Sequence, residues 1–347
     1  MNPQTAVGTA DRTLTPTAPD AARDGQPAGP GDSVTPGLAG DPRVIALESP
    51  TWQVGVVPGA AASIAYARIL VDGVWRDLMR PTGPSKLDTP VACSSFPLVP
   101  WSNRVAAARL EWGGRTWRLP RTSPDGTAMH GAVLPFAFDV LERTPTSVRL
   151  ALDSRDVVGF GFPWHVRTEI LVALGASGLT VSTTVENVDA EAFPAGFGHH
   201  PYFQRELVPG GGEPLLEVPV TRGYRLVDAM AVEEAGAIPA RADYSALRPL
   251  GGRFVDDCLT GRVPDAPVRI VYPGARADGT DVEVRLEADD VYAHWVVYVP
   301  VNRTYFAVEP ATNANGGFAL ADRGVPGSGV FELAPGESRT GTFTVSF

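Results

Sequence analysis

The sequence predicts an all-β protein, a large antiparallel β-sandwich of many short strands. Three observations point there. Segments that alternate apolar and polar residues recur along the chain, with one face suited to a core and the other to water. Turn clusters separate them: Pro124-Asp125-Gly126, Gly210-Gly211-Gly212, Pro273-Gly274 and Asp278-Gly279. The 37 glycines and 33 prolines interrupt any amphipathic helix of ten or more residues.

Residues 1–42 hold few large apolar side chains before Val44. They cannot bury enough surface to offset the entropy of ordering and are expected to form a disordered tail. From residue 43 to 347 the texture is uniform, with no linker and no internal repeat, so one folded domain is expected. The alternation Arg109-Leu110-Glu111-Trp112 suits the outer face of a hairpin. Residues 179–186, 281–287 and 342–347 alternate as half-buried strands do. Residues 294–299 are nearly all apolar, as expected of a strand buried on both faces. The run Tyr305-Phe306-Ala307-Val308 ends in a carboxylate, Glu309, and is stopped by Pro310.

Composition limits the function. The net charge of −10 argues against nucleic acid, which needs a basic footprint. Two cysteines, Cys93 and Cys258, give neither a disulfide framework nor zinc-ribbon spacing, and a reduced, cytoplasmic setting is expected. No run approaches the roughly 20 apolar residues that span a bilayer, so no membrane partner is expected. The start Met1-Asn2-Pro3-Gln4 lacks the basic and apolar regions of a signal peptide. Neither a Gly-x-Ser-x-Gly elbow nor a Gly-x-Gly-x-x-Gly loop occurs.

What remains is proton chemistry. Only five histidines occur: His130, His165, His199, His200 and His294. His199 and His200 lie in Gly-Phe-Gly-His-His-Pro-Tyr-Phe (196–203). In extended chain they point to opposite faces, so one imidazole at most serves a given site. Gly196 and Gly198 let the backbone lie close to something. A turn with a packed histidine would look the same. In Pro-Leu-Val-Pro-Trp-Ser-Asn-Arg (97–104), two prolines fix an irregular path, and Asn103 and Arg104 offer donors suited to sugar hydroxyls. Spacing alone fits a surface ion pair for Arg104 better. His130 follows Met129 in a turn-rich stretch. Asp256 and Asp257 stand among apolar neighbours, where either could accept from hydroxyls or simply bond a turn. Glu309, if semi-buried without a cation, has a raised pKa suited to a general base; otherwise it is a rim carboxylate. A metal site from His130, His200 and Glu309 lacks the spacing that would support it.

Taken in order, Pro-Leu-Val-Pro-Trp-Ser-Asn-Arg (97–104), Met-His-Gly (129–131), Gly-His-His-Pro-Tyr-Phe (198–203), Val-Asp-Asp (255–257) and Phe-Ala-Val-Glu-Pro-Ala-Thr (306–312) resemble the aldose 1-epimerase (galactose mutarotase-like) family. The resemblance covers about residues 43–347. It implies a large antiparallel β-sandwich with a sugar cleft, and an isomerase that interconverts the α and β anomers of a free aldohexose without cofactor or metal. By the same resemblance, Glu309 is the general base for the anomeric hydroxyl and His200 the general acid for the ring oxygen. His130 and Arg104 bind the sugar, with Asn103 beside them. Asp256 holds sugar hydroxyls, although the doubled Asp256-Asp257 leaves the register open. His199 is expected to face away, and His165 and His294 receive no role. Such a couple implies a protonated His200 facing an ionised Glu309 in the free protein, and a bell-shaped pH profile. Two other readings remain. One is a hexose-6-phosphate epimerase drawing on Arg104, Arg109, Arg115, Arg118 and Arg121. The other is a carbohydrate-binding protein without catalysis.

Overall fold

A computed structural model describes residues 35–176 and 178–347. Two antiparallel sheets carry the architecture. The outer sheet has nine strands, in the order Asp139–Arg143, Ser147–Asp153, Val166–Gly175, Gly178–Asn187, Ser338–Ser346, Val282–Ala288, Val268–Tyr272, Leu215–Glu217 and Arg248–Pro249. The second, here the site sheet, runs Val220–Gly223, Val255–Arg262, His294–Val299, Tyr305–Ala311, Gly198–His199 and Pro97–Leu98, with Tyr202–Gln204 also paired to Tyr305–Ala311. A four-stranded sheet, Ile45–Glu48, Trp52–Val57, Ser63–Val71 and Val74–Asp77, precedes both. The α-helices among the described residues are two short ones, Thr35–Ala39 and Gly317–Asp322. No helix of the described residues is long and apolar enough to cross a membrane.

The strands fall where the sequence pattern puts them. Residues 179–186 lie within Gly178–Asn187, where Leu179, Val181, Thr183 and Val185 are buried and their neighbours half-exposed. The apolar 294–299 segment is the strand His294–Val299, covered on both faces as expected. Trp295, Val297 and Val299 belong to the main core together with Phe306 and Val308, and with Phe343, Val345 and Leu179 of the outer sheet. Val296 belongs to a separate cluster on the opposite face, with Cys258 and Ala311. Burying each such side chain stabilises the sandwich by about 1.5–3 kcal/mol.

The start of the packed chain differs from the sequence-based boundary. Residues 1–34 lie outside the described residues, but the rest of the expected tail does not behave as one. Thr35–Ala39 forms a helical turn, and Leu38 is fully buried beside Val44, Val57, Tyr66 and Leu87. One well-placed leucine anchors a segment whose average composition argues for disorder.

Candidate active site

Register decides which residues meet. In the site sheet Glu309 pairs with Val296, which pairs with Cys258; two rows on, Ala307 pairs with Tyr298, which pairs with Asp256. Residues two apart share a face, so Glu309, Tyr298 and Asp256 stand on the side away from the core. The intervening row, Val308, Val297 and Asp257, faces the other way. Asp256, not Asp257, therefore shares the face of Glu309. Asp257 is fully buried and held by Arg241 through two hydrogen bonds of 2.7 and 2.8 Å. Asp256 is free of that pair and lies 3.7 Å from the Arg104 guanidinium.

The adjacent histidines divide in the same way. His199 points between the sheets, where its Nε2 is 2.7 Å from Thr183 Oγ1 and its ring packs on Phe343. His200 lies on the site face, with Nε2 3.1 Å from Glu309 Oε1. Its ring stacks on Phe96 and packs tilted against Tyr202, and His130 meets it edge-on with ring centroids 5.4 Å apart. The other two histidines lie elsewhere: His165 is 3.3 Å from Ser154 Oγ, and His294 is buried against Tyr224.

Arg104 enters from the short strand Arg104–Val105, which pairs with Ala128–Met129 and so brings the His130 loop alongside. Both loops are tightly set. Asn103 and His130 have φ values of 54° and 65°, a left-handed conformation that non-glycine residues adopt sparingly and that is concentrated at functional sites. The His130 amide donates to the Asn103 carbonyl at 2.8 Å. At Gly131, φ is 81°, and a Cβ would fall 2.0 Å from the Val99 carbonyl oxygen; only glycine closes this turn. His130 Nδ1 is buried without a hydrogen-bond partner among the described residues. In a native interior such an atom usually answers to a ligand or to water.

Burial sets the protonation of the pair. It pushes the Glu309 carboxyl well above the usual carboxylate range; the charge of Asp256 adds to this and Arg104 opposes it. Burial likewise pushes the His200 imidazole well below its usual range, helped by His130, Arg80 and Arg104. His130 is driven down to about 3, by burial first and then by Arg104. Burial thus works against an imidazolium facing a carboxylate and toward the uncharged pair, which holds the same number of protons.

Several residues that matter here carry no signal in the sequence pattern. Asp125, which reads only as a turn residue, accepts from Arg104 Nε at 3.2 Å while holding the Thr127 amide and hydroxyl. Arg80 lies over the rings of Tyr202 and Tyr305, 4.0 and 4.5 Å from their centroids. Asn313, four residues beyond Glu309, joins three segments. Its Oδ1 accepts from the Ser102 amide at 2.9 Å, its carbonyl accepts from the Ser102 hydroxyl at 2.6 Å, and its Nδ2 donates to the Ser102 carbonyl at 3.2 Å. Gly196 has no side chain because a Cβ there would sit 2.1 Å from Asn313 Oδ1. Asn313 thus ties the Arg104 loop and the approach to His200 onto the end of the Glu309 strand. Asn313→Ala leaves the Ser102 amide and carbonyl buried without that partner. It is expected to cost about 2–4 kcal/mol, seen as a lower denaturation midpoint at unchanged m-value.

The comparisons with known proteins agree with this fold. The family model for aldose 1-epimerase matches residues 74–346. Among curated relatives, the uncharacterized protein YphB of Escherichia coli K12 is 31% identical over 198 residues, 55% of this chain and 64% of that protein. The uncharacterized protein YihR of the same organism is 29% identical over 149 residues, 42% and 47% of the respective lengths. The chain therefore matches less than two thirds of either relative. Among solved structures, a putative aldose 1-epimerase from Escherichia coli K12 superposes with a TM-score of 0.71 at 22% identity, over 87% of this chain and 98% of that one. A galactose mutarotase-like protein from Clostridium acetobutylicum gives 0.75 at 16% identity, over 87% and 94%. At such identities the likeness is one of fold, a galactose mutarotase-like sandwich.

Proposed function

The chain belongs to the aldose 1-epimerase family, and from that premise we propose that it interconverts the α and β anomers of a free aldohexose by acid–base opening and re-closure of the ring. One observation carries the reading: the contact of His200 Nε2 with Glu309 Oε1 in a buried cluster, with Arg104 and Asp256 on the same face. O1 and the ring oxygen of a hemiacetal are bonded to the same carbon. Two groups within hydrogen-bond reach of each other can therefore address both.

In the forward direction Glu309 takes the proton of the O1 hydroxyl while His200 delivers one to the ring oxygen. The C1–O5 bond breaks and C1 becomes an aldehyde carbon. Rotation about C1–C2 presents its other face, and the two groups exchange roles as the ring closes. For this to start, the pair's proton must lie on His200. Sugar hydroxyls that donate to the Glu309 carboxylate would draw it there. In this reading Arg104 and His130 bind the sugar, with Asn103 at the Arg104 guanidinium, and Asp256 accepts from its hydroxyls.

The phosphorylated-sugar reading is less favoured. Arg109 and Arg115 lie on the exposed hairpin Arg109–Trp112 and Arg115–Arg118, paired to Glu111 and Glu191. Arg118 and Arg121 are also exposed. Arg104 is already engaged by Asp125 and Asp256. Polarimetry of freshly dissolved α-D-glucose and α-D-galactose tests the proposal. Faster approach to anomeric equilibrium with protein, and no comparable gain for glucose 6-phosphate, is expected. Sugar binding without acceleration would leave a carbohydrate-binding protein instead.

A further inference from the structure

A histidine that moves protons is usually aimed by a hydrogen bond at the ring nitrogen away from the chemistry. His200 has none: its Nδ1 is buried without a partner among the described residues, while Nε2 faces Glu309. What fixes this ring is packing. Phe96 stacks on it with centroids 4.9 Å apart, and Tyr202 leans on it at 4.3 Å. Tyr202 is itself held from beyond. The Arg80 guanidinium carbon lies 4.0 Å from the Tyr202 centroid and 4.5 Å from that of Tyr305. Tyr202 follows His200 by two residues, and Tyr305 opens the strand that carries Glu309 on the same face. One guanidinium thus lies on a ring from the His200 segment and on a ring from the Glu309 strand. Its own hydrogen bonds go to main-chain carbonyls, of Cys93 at 2.9 Å and Val91 at 3.3 Å.

We propose that Arg80 is a positioning residue for the acid–base pair, a clamp that acts through Tyr202 to hold the His200 imidazole on Glu309. This rests on the acid–base reading above. A guanidinium is planar and stacks on aromatic faces, and a partly desolvated cation is drawn to a π-face. Seated over Tyr202 and Tyr305 at once, Arg80 ties together the two segments whose separation sets the His200–Glu309 contact. The backbone joins in, since the Arg80 amide donates to the Tyr202 carbonyl at 2.9 Å. The charge has a second effect. One ring away from His200, it opposes an imidazolium, as His130 and Arg104 do and as burial does above all. The other groups facing His200 are Glu309 in contact and the phenols of Tyr202 and Tyr298, with Asp256 beyond them near Arg104. Removing the Arg80 charge therefore raises the His200 pKa and moves the acid limb of the profile to higher pH.

The test uses the full-length protein with Arg80→Met, Arg80→Lys and Tyr202→Leu, followed by polarimetry of glucose. Arg80→Met is expected to lower kcat about tenfold to hundredfold, the cost of a misaimed group, with KM within about twofold. Its acid limb should rise by about 0.5–1 pH unit. Arg80→Lys keeps a cation over the rings and should restore the limb and most of the rate. Because the clamp acts through the Tyr202 ring, adding Arg80→Met to Tyr202→Leu should cost no more than about twofold. NMR titration of the His200 ring in wild type and Arg80→Met reads the imidazole without turnover. Full activity with an unmoved acid limb in Arg80→Met, or a loss undiminished by Tyr202→Leu, would overturn the clamp. So would a lower denaturation midpoint as the sole change, the outcome for an arginine that merely braces the Val91–Cys93 turn. If wild type interconverts no sugar but the His200 titration moves with Arg80→Met, the catalytic reading fails and the clamp stands. If sugars are interconverted and that titration is unmoved, the clamp alone fails.

Discussion

Glu309→Gln is expected to slow anomer interconversion by about 10²–10⁴-fold, the contribution of one positioned acid or base. The substitution keeps the shape of the side chain and an oxygen facing His200 Nε2, but removes the ability to take the O1 proton. It also separates a catalytic role from a structural one. A buried carboxylate that matters for folding is normally ionised and paired, so losing its charge destabilises strongly. Glu309 instead lies in surroundings that favour its protonated, uncharged form. The amide should therefore fold with stability within about 1 kcal/mol of wild type. Polarimetric rates and a denaturation curve on the same preparation check both halves. Turnover close to wild type in Glu309→Gln would remove this residue from the chemistry.

His200→Asn is expected to cost a similar 10²–10⁴-fold and, in addition, to change the shape of the pH profile. The wild-type pair is active with one proton to pass from acid to base. As pH falls through the lowered range of His200, the pair gains a second proton and the base is lost. As pH rises through the raised range of Glu309, the last transferable proton leaves and the acid is lost. The profile of kcat/KM is a bell whose acid limb lies below the ordinary imidazole range and whose alkaline limb lies above the ordinary carboxylate range. Both limbs belong to the pair rather than to either residue. Without His200 only the base titrates, and the residual rate should climb through one alkaline-shifted sigmoid. A bell that survives in His200→Asn would assign the acid elsewhere, with His130 the neighbour to examine.

The parts of this molecule that were legible in the sequence obey local rules. Alternation places the strands at 178–187 and 294–299, and it separates His199 from His200, because side-chain direction in a strand follows from parity alone. The glycines at 196 and 198 announce a close approach, although not that Asn313 and the Pro310 backbone make it. What was illegible depends on pairing between distant segments. Parity says that Asp256 and Asp257 face opposite ways, but which of them joins Glu309 follows from the register of Val255–Arg262 against His294–Val299. Asp125 reads as a turn aspartate, and is one; its second role appears only once Arg104 is folded against it. The direction in which burial pushes the shared proton was illegible for the same reason. Sequence gives the two groups, while the desolvation that moves the proton between them is a property of the packed site. Leu38 is a related case, since average composition cannot register a single anchoring side chain.

The rows Glu309–Val296–Cys258 and Val308–Val297–Asp257 come from one set of hydrogen bonds. The ladder that buries Val308 is the ladder that presents Glu309. Slipping a strand by one residue would turn the chemical groups inward and the core outward together. The site therefore cannot drift by small rearrangements of the sheet; it changes only when individual side chains are exchanged on a fixed frame. A descendant of this chain could keep the whole sandwich and lose its chemistry through one replacement at position 309.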